Sequence, residues 1–214
     1  LGNPDVDVWD LFTGKATPKT CYPLGSVLTI AAAGSEMSNS CVITNEEGWY
    51  KKALDTDLAR PKFAIMNPEI TYTLPDYQTQ CGCADIMMHT MERYFVLEDT
   101  MEITDKIAQD VMKNVMKYAK ILKKDPENYE ARAEIMWCGS LSHNGLTGCG
   151  TCGGDWATHL IEHELGGMFD VAHGAGLAAV WGSWARYVMD EKPERFAQFA
   201  VDVMGVEESD DVKS

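Results

Sequence analysis

Apolar residues fall into two textures along the chain. Over residues 1–74 they come as short runs bounded by turn formers. Ser26-Val-Leu-Thr-Ile-Ala-Ala is one, ending at Gly34. Cys41-Val-Ile-Thr is another, followed by Asn45-Glu-Glu-Gly48. Lys62-Phe-Ala-Ile-Met is a third, closed by Asn67-Pro68. Runs of this length, flanked by Gly, Asn and Pro, predict strands. Three short strands do not make an independent, well-covered sheet. The region therefore reads as the end of a larger α/β domain.

From Pro75 onward the period changes. Ile103, Ile107, Val111, Met112, Val115, Met116, Ala119 and Leu122 recur at helical spacing with Lys, Asp and Glu between them, the signature of an amphipathic helix. Asp125-Pro126 ends it. Further helices are expected near 76–95, 128–143, 155–168, 174–189 and 192–204. Asp155 suits the N-cap of the helix near 155–168, and Pro193 the first turn of the last. Met87, Met88, Met91, Met112 and Met116 sit at helical spacing and read as core filler. The acidic tail 207–211 is expected to fray. The fold class is thus mainly α with a small α/β portion, divided at residues 1–74 and 75–214.

Composition narrows the function. The chain has 214 residues, 45% hydrophobic and 24% charged, enough to bury a sizeable core. A formal net charge of −15 repels phosphate backbones and argues against nucleic acid as a partner. The run Lys117, Lys120, Lys123 and Lys124 reads as a solvated helix face. No apolar stretch reaches the length of a membrane span, and no signal peptide is visible. The chain opens on Leu1 rather than Met, which suggests a fragment. Seven cysteines, an odd number in a chain of this length, argue against a secreted disulfide scaffold and fit a reducing cytoplasm. Cys149-Gly-Thr-Cys152 has the spacing of a zinc knuckle or redox pair. Cys81 and Cys83 do not provide a second pair, so reduced loop thiols are the simpler expectation.

The chemistry lies in the histidines. Asp85 and His89 are four apart in an expected helix, so their side chains share one face. His159 and His163 repeat that spacing. His173 follows past Gly166-Gly167, which read as a place for the chain to turn. One carboxylate and several imidazoles suit Fe²⁺ or Zn²⁺, whereas Mg²⁺ calls for more oxygen ligands. Spacing alone does not say which histidines bind. His159-Leu-Ile-Glu-His163 also matches H-x-x-E-H, a peptidase signature in which Glu162 serves as base. A non-catalytic metal-binding domain built on Cys149 and Cys152 is a third reading.

Longer segments carry a resemblance. Gly82-Cys-Ala-Asp-Ile-Met-Met-His-Thr-Met-Glu-Arg-Tyr94, Asp155-Trp-Ala-Thr-His-Leu-Ile-Glu-His-Glu-Leu165 and Asp170-Val-Ala-His-Gly174 resemble the iron-containing (group III) alcohol dehydrogenases, especially the NADPH-dependent butanol dehydrogenase type. Trp9-Asp-Leu, Thr29-Ile-Ala-Ala-Ala-Gly-Ser-Glu-Met37, Thr73-Leu-Pro75 and Asn128-Tyr-Glu-Ala-Arg132 extend the match, in order, over nearly the whole chain. The resemblance implies a dehydroquinate synthase-like helical metal-binding domain after the end of a Rossmann-like domain. It implies Asp85, His89, His159 and His173 as metal ligands. His163 would stand beside the nicotinamide and substrate as the catalytic proton carrier. Glu162 would be helix surface or a partner of a ligand rather than a peptidase base. Thr29 and Ser38 would line the nucleotide cleft, Lys51 would lie near the ribose, and Ile70 would pack near the adenine or nicotinamide side.

The implied cofactors are Fe²⁺ (or Zn²⁺) and NADP(H) ahead of NAD(H). The implied activity is hydride transfer between NAD(P)H and a short-chain aldehyde or alcohol, with a homodimer entertained as the assembly. The small run Ala31-Ala-Ala-Gly34 permits close backbone approach to a ligand. There are departures. The family's Gly-Gly-Gly-Ser phosphate-binding turn and its first Rossmann strand are missing. Ala33 stands where Thr is commoner, and Trp181-Gly182 where a proline is usual. The C-terminal helices read as cut short. These losses spare the metal ligands but bear on dinucleotide binding and turnover.

Overall fold

The computed structural model describes residues 2–209; Leu1, and Asp210 and Asp211 of the acidic tail, lie outside them. A short helix, α1 (Val8–Phe12), opens the chain. The Asp7 carboxylate caps it, accepting the Trp9 N–H at 2.8 Å. Four strands follow: β1 (Gly25–Val27), β2 (Ser40–Asn45), β3 (Tyr50–Asp55) and β4 (Phe63–Ile65). β1 and β4 pair in parallel, with Ser26 opposite Ala64. β2 and β3 form an antiparallel hairpin, with Val42 opposite Ala53.

Each expected apolar run contains a strand, but β1 is shorter than its run. It stops at Val27, and residues 31–34 leave the sheet to press against the helices instead. A Cβ on Gly82 would collide with the Ala31 carbonyl oxygen, and one on Gly34 with the His143 side chain. Close approach at this small-residue run is thus to helix backbone. α1 and β3 were not expected. β3 follows from the turn before it, where Asn45 Oδ1 accepts the Glu47 N–H, and Gly48 and Trp49 take positive φ (92° and 58°) that reverses the chain.

Among the described residues six longer helices follow, and the fold is mainly helical: α2 (Asp76–Tyr94), α3 (Glu102–Leu122), α4 (Tyr129–His143), α5 (Ala157–Phe169), α6 (His173–Val188) and α7 (Pro193–Asp202). α2 runs through the middle, packed by α3, α4 and α6. Two apolar clusters flank it. Cys83, Ile86, Val111, Val115, Leu122 and Ile135 join α2, α3 and α4. Met88, Met91, Phe95, Met112, Leu177 and Phe199 join α2, α3, α6 and α7. Each such side chain, fully buried, stabilises by about 1.5–3 kcal/mol. Met87 and Met116 pack partly buried against these clusters, so all five methionines serve the core.

Three local expectations need correction. Ile103 is exposed, because the buried stripe of α3 begins with Thr104 and Asp105. α5 starts at Ala157, after Trp156 in the left-handed region. Asp155 Oδ1 still accepts the Ala157 N–H at 3.0 Å. Gly166 and Gly167 lie within α5, and the chain turns later, at Asp170 (φ 53°). Trp181, standing where the family resemblance implied proline, leaves α6 unbroken and packs its ring on Phe95 and Phe199.

A buried ion pair ties α3 to α7. Arg195 donates from Nη1 and Nη2 to the two Asp105 oxygens, each at 2.6 Å, while its guanidinium lies 3.5 Å over the Tyr94 ring centroid. Removing one partner strands the other in the core, so Arg195→Met is expected to lower unfolding free energy by about 3–5 kcal/mol. The denaturant midpoint at unchanged slope reads this out.

Candidate metal centre

The carboxylate of Asp85, in the middle of α2 and 3% exposed, sits among three imidazoles. Its Oδ1 lies 3.2 Å from His89 Nδ1, 3.6 Å from His173 Nε2 and 3.8 Å from His159 Nε2. His89 comes from the next turn of α2, His159 from the first turn of α5 and His173 from the first residue of α6. α6 reaches this position because Gly174 brings it against the backbone of α2 at Cys81, where a Cβ would clash.

Each imidazole is oriented through Nδ1. His89 Nδ1 donates to the Asp85 backbone carbonyl at 3.0 Å. His159 Nδ1 donates to Glu92 Oε1 at 2.9 Å. His173 Nδ1 donates to Glu162 Oε2. Carbonyl and carboxylate oxygens only accept, so Nδ1 carries the proton in all three rings and Nε2 keeps a lone pair. Asp85 Oδ1 and His159 Nε2 are buried and have no hydrogen-bond partner. Such orphaned atoms cost about 1–3 kcal/mol apiece unless something satisfies them. A divalent cation would satisfy both. One carboxylate oxygen with imidazole nitrogens is the donor set of Fe²⁺ or Zn²⁺, so the residues fit a metal.

The electrostatics agree. Burial pushes the Asp85 carboxyl up, but His89 first, with His159 and His173, outweighs it and holds the group down at about 2. Burial drives His89 well below the ordinary imidazole range. Burial also pulls His159 down, yet Asp85 and Glu92 overcome it and hold His159 above its ordinary value. His163 is lowered to about 4 by burial, with Lys51 and His173 adding to the effect.

Among the described residues, two side-chain groups bring three ligand atoms within 4.8 Å of one another: Asp85–His89–His159 and Glu162–His163–His173. Neither includes a cysteine; Cys149 and Cys152 are exposed free thiols. Glu162 is fully buried, not helix surface. Its Oε2 accepts from Lys51 Nζ at 3.1 Å as well as from His173, so it orients a histidine rather than facing a substrate water as a peptidase base would.

A cavity of about 640 Å³ opens beside the centre, lined by His89, His159, His163 and His173 together with Ser38 and Lys51. Of the other residues expected to touch a nucleotide, Thr29 and Ile70 are exposed and do not line it. Ala33 does. Three participants were not foreseen. Glu92 accepts the His159 backbone N–H, its Nδ1–H and the Thr158 hydroxyl. The signal for it was its place two turns from Asp85 on the same helix face. His143, at the end of α4, sets its ring 4.2 Å from that of His89, at a steep angle, and no spacing in the sequence announces it. Trp156 stacks edge-on to His89 and His159 beneath the Arg93 guanidinium.

Comparison with known proteins gives a consistent picture. The C-terminal model of the Fe-containing alcohol dehydrogenase family matches residues 79–214, and the iron-containing alcohol dehydrogenase model matches residues 1–68. The chain is similar to a probable NADH-dependent butanol dehydrogenase of Bacillus subtilis (40% identity, 96% of this chain and 53% of that protein). It is also similar to the NADPH-dependent aldehyde reductase YqhD of Escherichia coli (34% identity, 97% of this chain and 54% of that one). The structure of an NADH-dependent butanol dehydrogenase A from Thermotoga maritima superposes with a TM-score of 0.94 at 39% identity, covering 97% of this chain and 52% of that chain. The chain thus spans about half the length of the relatives it matches.

Glu92 is the group on which the His159 orientation depends. Glu92→Gln keeps the shape but loses the charge, and is expected to weaken divalent-ion binding about 10-fold, the lower end for residues that orient a ligand. Competition against a chromogenic chelator measures it.

Proposed function

The chain belongs to the Fe-containing alcohol dehydrogenase family, and from that premise we propose that it carries the metal-binding part of an alcohol dehydrogenase or aldehyde reductase. The reaction is hydride transfer between NADH or NADPH, relatives being named for each, and a short-chain aldehyde or alcohol. In this reading residues 1–74 end a nucleotide-binding domain and residues 75–214 form the helical metal-binding domain. The observation that carries it is the unpartnered Asp85 oxygen facing His159 Nε2 and His173 Nε2 beside a cavity.

Asp85, His89, His159 and His173 would hold Fe²⁺ or Zn²⁺, through the carboxylate and the three Nε2 lone pairs. When bound, the metal polarises a carbonyl oxygen and the nicotinamide supplies the hydride. The protein's part is position, field and proton. His163, held down to about 4 by burial and by Lys51 and His173, is neutral and lines the cavity; it would act as a relay, passing its ring N–H proton to the alcohol oxygen as its other ring nitrogen takes one up from water. Ser38 and Lys51 line the same cavity and are read as cofactor contacts. Thr29 and Ile70 would serve only a nucleotide that extends beyond it. Among the described residues no helix is long and apolar enough to cross a membrane. A cytoplasmic setting belongs to the same reading, supported by seven free thiols, three of them exposed.

Aldehyde-dependent loss of nicotinamide absorbance, metal-dependent and abolished by Asp85→Ala, tests the activity. Asp85→Ala and His173→Ala are also expected to lose the metal in elemental analysis, whereas serine at Cys149 and Cys152 retains it. The reverse pattern would establish the cysteine-based reading. Imidazole must be unprotonated to ligate, so metal affinity falls as pH drops through the ordinary value of 6.5. Because His159 holds its proton above that value, affinity keeps rising on the alkaline side of it. A titration of metal binding against pH checks the sign.

A further inference from the structure

We propose that Lys51 is a positioning residue of the metal centre: its ammonium holds the buried Glu162 carboxylate as acceptor of the His173 Nδ1–H, and so keeps His173 Nε2 turned toward Asp85. The inference rests on the reading of Asp85, His89, His159 and His173 as a metal site, and it gives Lys51 a task separate from any contact with a dinucleotide.

Geometry carries the argument. Lys51 Nζ, from β3, lies 3.1 Å from Glu162 Oε2 and 3.4 Å from His173 Nδ1. The Glu162 side chain is 0% exposed and that of Lys51 16%. A carboxylate buried so completely needs a counter-charge. Glu162, His163 and His173 bring their ligand atoms close enough to hold a cation of their own, and the cation the fold supplies there is the ammonium.

The surrounding helices make room for it. A Cβ on Gly166 would lie 2.8 Å from Lys51 Nζ, and one on Gly176 would lie 2.8 Å from Glu162 Cγ. A Cβ on Gly167 would strike the Trp49 carbonyl oxygen, just before β3. Glycine inside a helix costs helix propensity, and here it clears the path of one lysine to one glutamate.

The order of the three groups matters chemically. An imidazole Nδ1 facing the ammonium alone would become an acceptor, which moves the ring proton to Nε2 and removes the lone pair a metal needs. With Glu162 accepting from both, Nδ1 keeps its proton. Lys51 thereby acts on the metal through Glu162 and His173, as a partner outside the ligand shell does in other metal sites.

The test is Zn²⁺ affinity, measured by chelator competition without any nicotinamide cofactor, so that a role in dinucleotide binding alone moves nothing. Lys51→Met is expected to weaken Zn²⁺ binding about 10–100-fold. In a Glu162→Gln background, where the charge to be compensated is gone and an amide oxygen still accepts, the same substitution is expected to cost less than about threefold, the mark of a coupled pair. An unchanged affinity in Lys51→Met overturns the proposal. So does an equal loss in both backgrounds, which would make Lys51 a general structural support. If Lys51→Met alone fails to fold, a tenfold loss in the Glu162→Gln background has the same force. Absence of Zn²⁺ binding in the unaltered protein, or retention of it in Asp85→Ala, sinks the metal-site reading itself and is thereby told apart from failure of the Lys51 assignment.

Discussion

The centre depends on one arrangement: three imidazoles, each held by a hydrogen bond from Nδ1, turned about a buried aspartate oxygen. The acceptors differ. One is the backbone of α2 itself, one is Glu92 from the same helix, and one is Glu162 from α5. Ring orientation is fixed by the protein rather than left to the ion. That demands a rigid frame, and α2 is buried between two apolar clusters on opposite flanks. Its packing partners approach closely because small residues stand at the crossings, as Gly174 does against Cys81.

Much of this was legible in the sequence where the relevant period is local. The spacing of Asp85 and His89 places both on one turn-to-turn face, and each expected helix forms to within a few residues. Spacing could not decide between His159 and His163, which occupy the same helix one turn apart. Both rings lie beside His173 and line the cavity, but only His159 meets Glu92 and sets its Nε2 3.8 Å from Asp85 Oδ1. Such neighbours come from elements far away in sequence, and no period encodes them. His143 was hidden for the same reason, whereas of the two places expected for Glu162, helix surface or partner of a ligand, the geometry favours the second. The longer motif resemblance offered a choice of ligands that geometry now makes physically intelligible.

Other errors came from reading composition as conformation. Gly166-Gly167 looks like a bend, yet α5 runs through it, because helices accept glycine where another chain must pass. Ile103 looks like the first core residue of α3, yet the buried positions there are Thr104 and Asp105. Thr104 donates its hydroxyl to the Cys149 carbonyl and Asp105 takes Arg195. The polar stripe at that end of α3 serves to anchor the loop before α5 and the final helix.

The Lys51–Glu162 contact joins residues 111 apart, and the candidate ligands run from residue 85 to residue 173. Helices can form early from local contacts, but closing so long a separation carries loop entropy that is repaid only when both ends are already shaped. The hairpin must therefore wait, lysine exposed, while the helical frame assembles and presents its glutamate. During synthesis, most of the chain must emerge before the last imidazole exists. The order of assembly written into this topology would put capture of a cation by the candidate ligands after folding of the frame, with the ion the final component to be fitted.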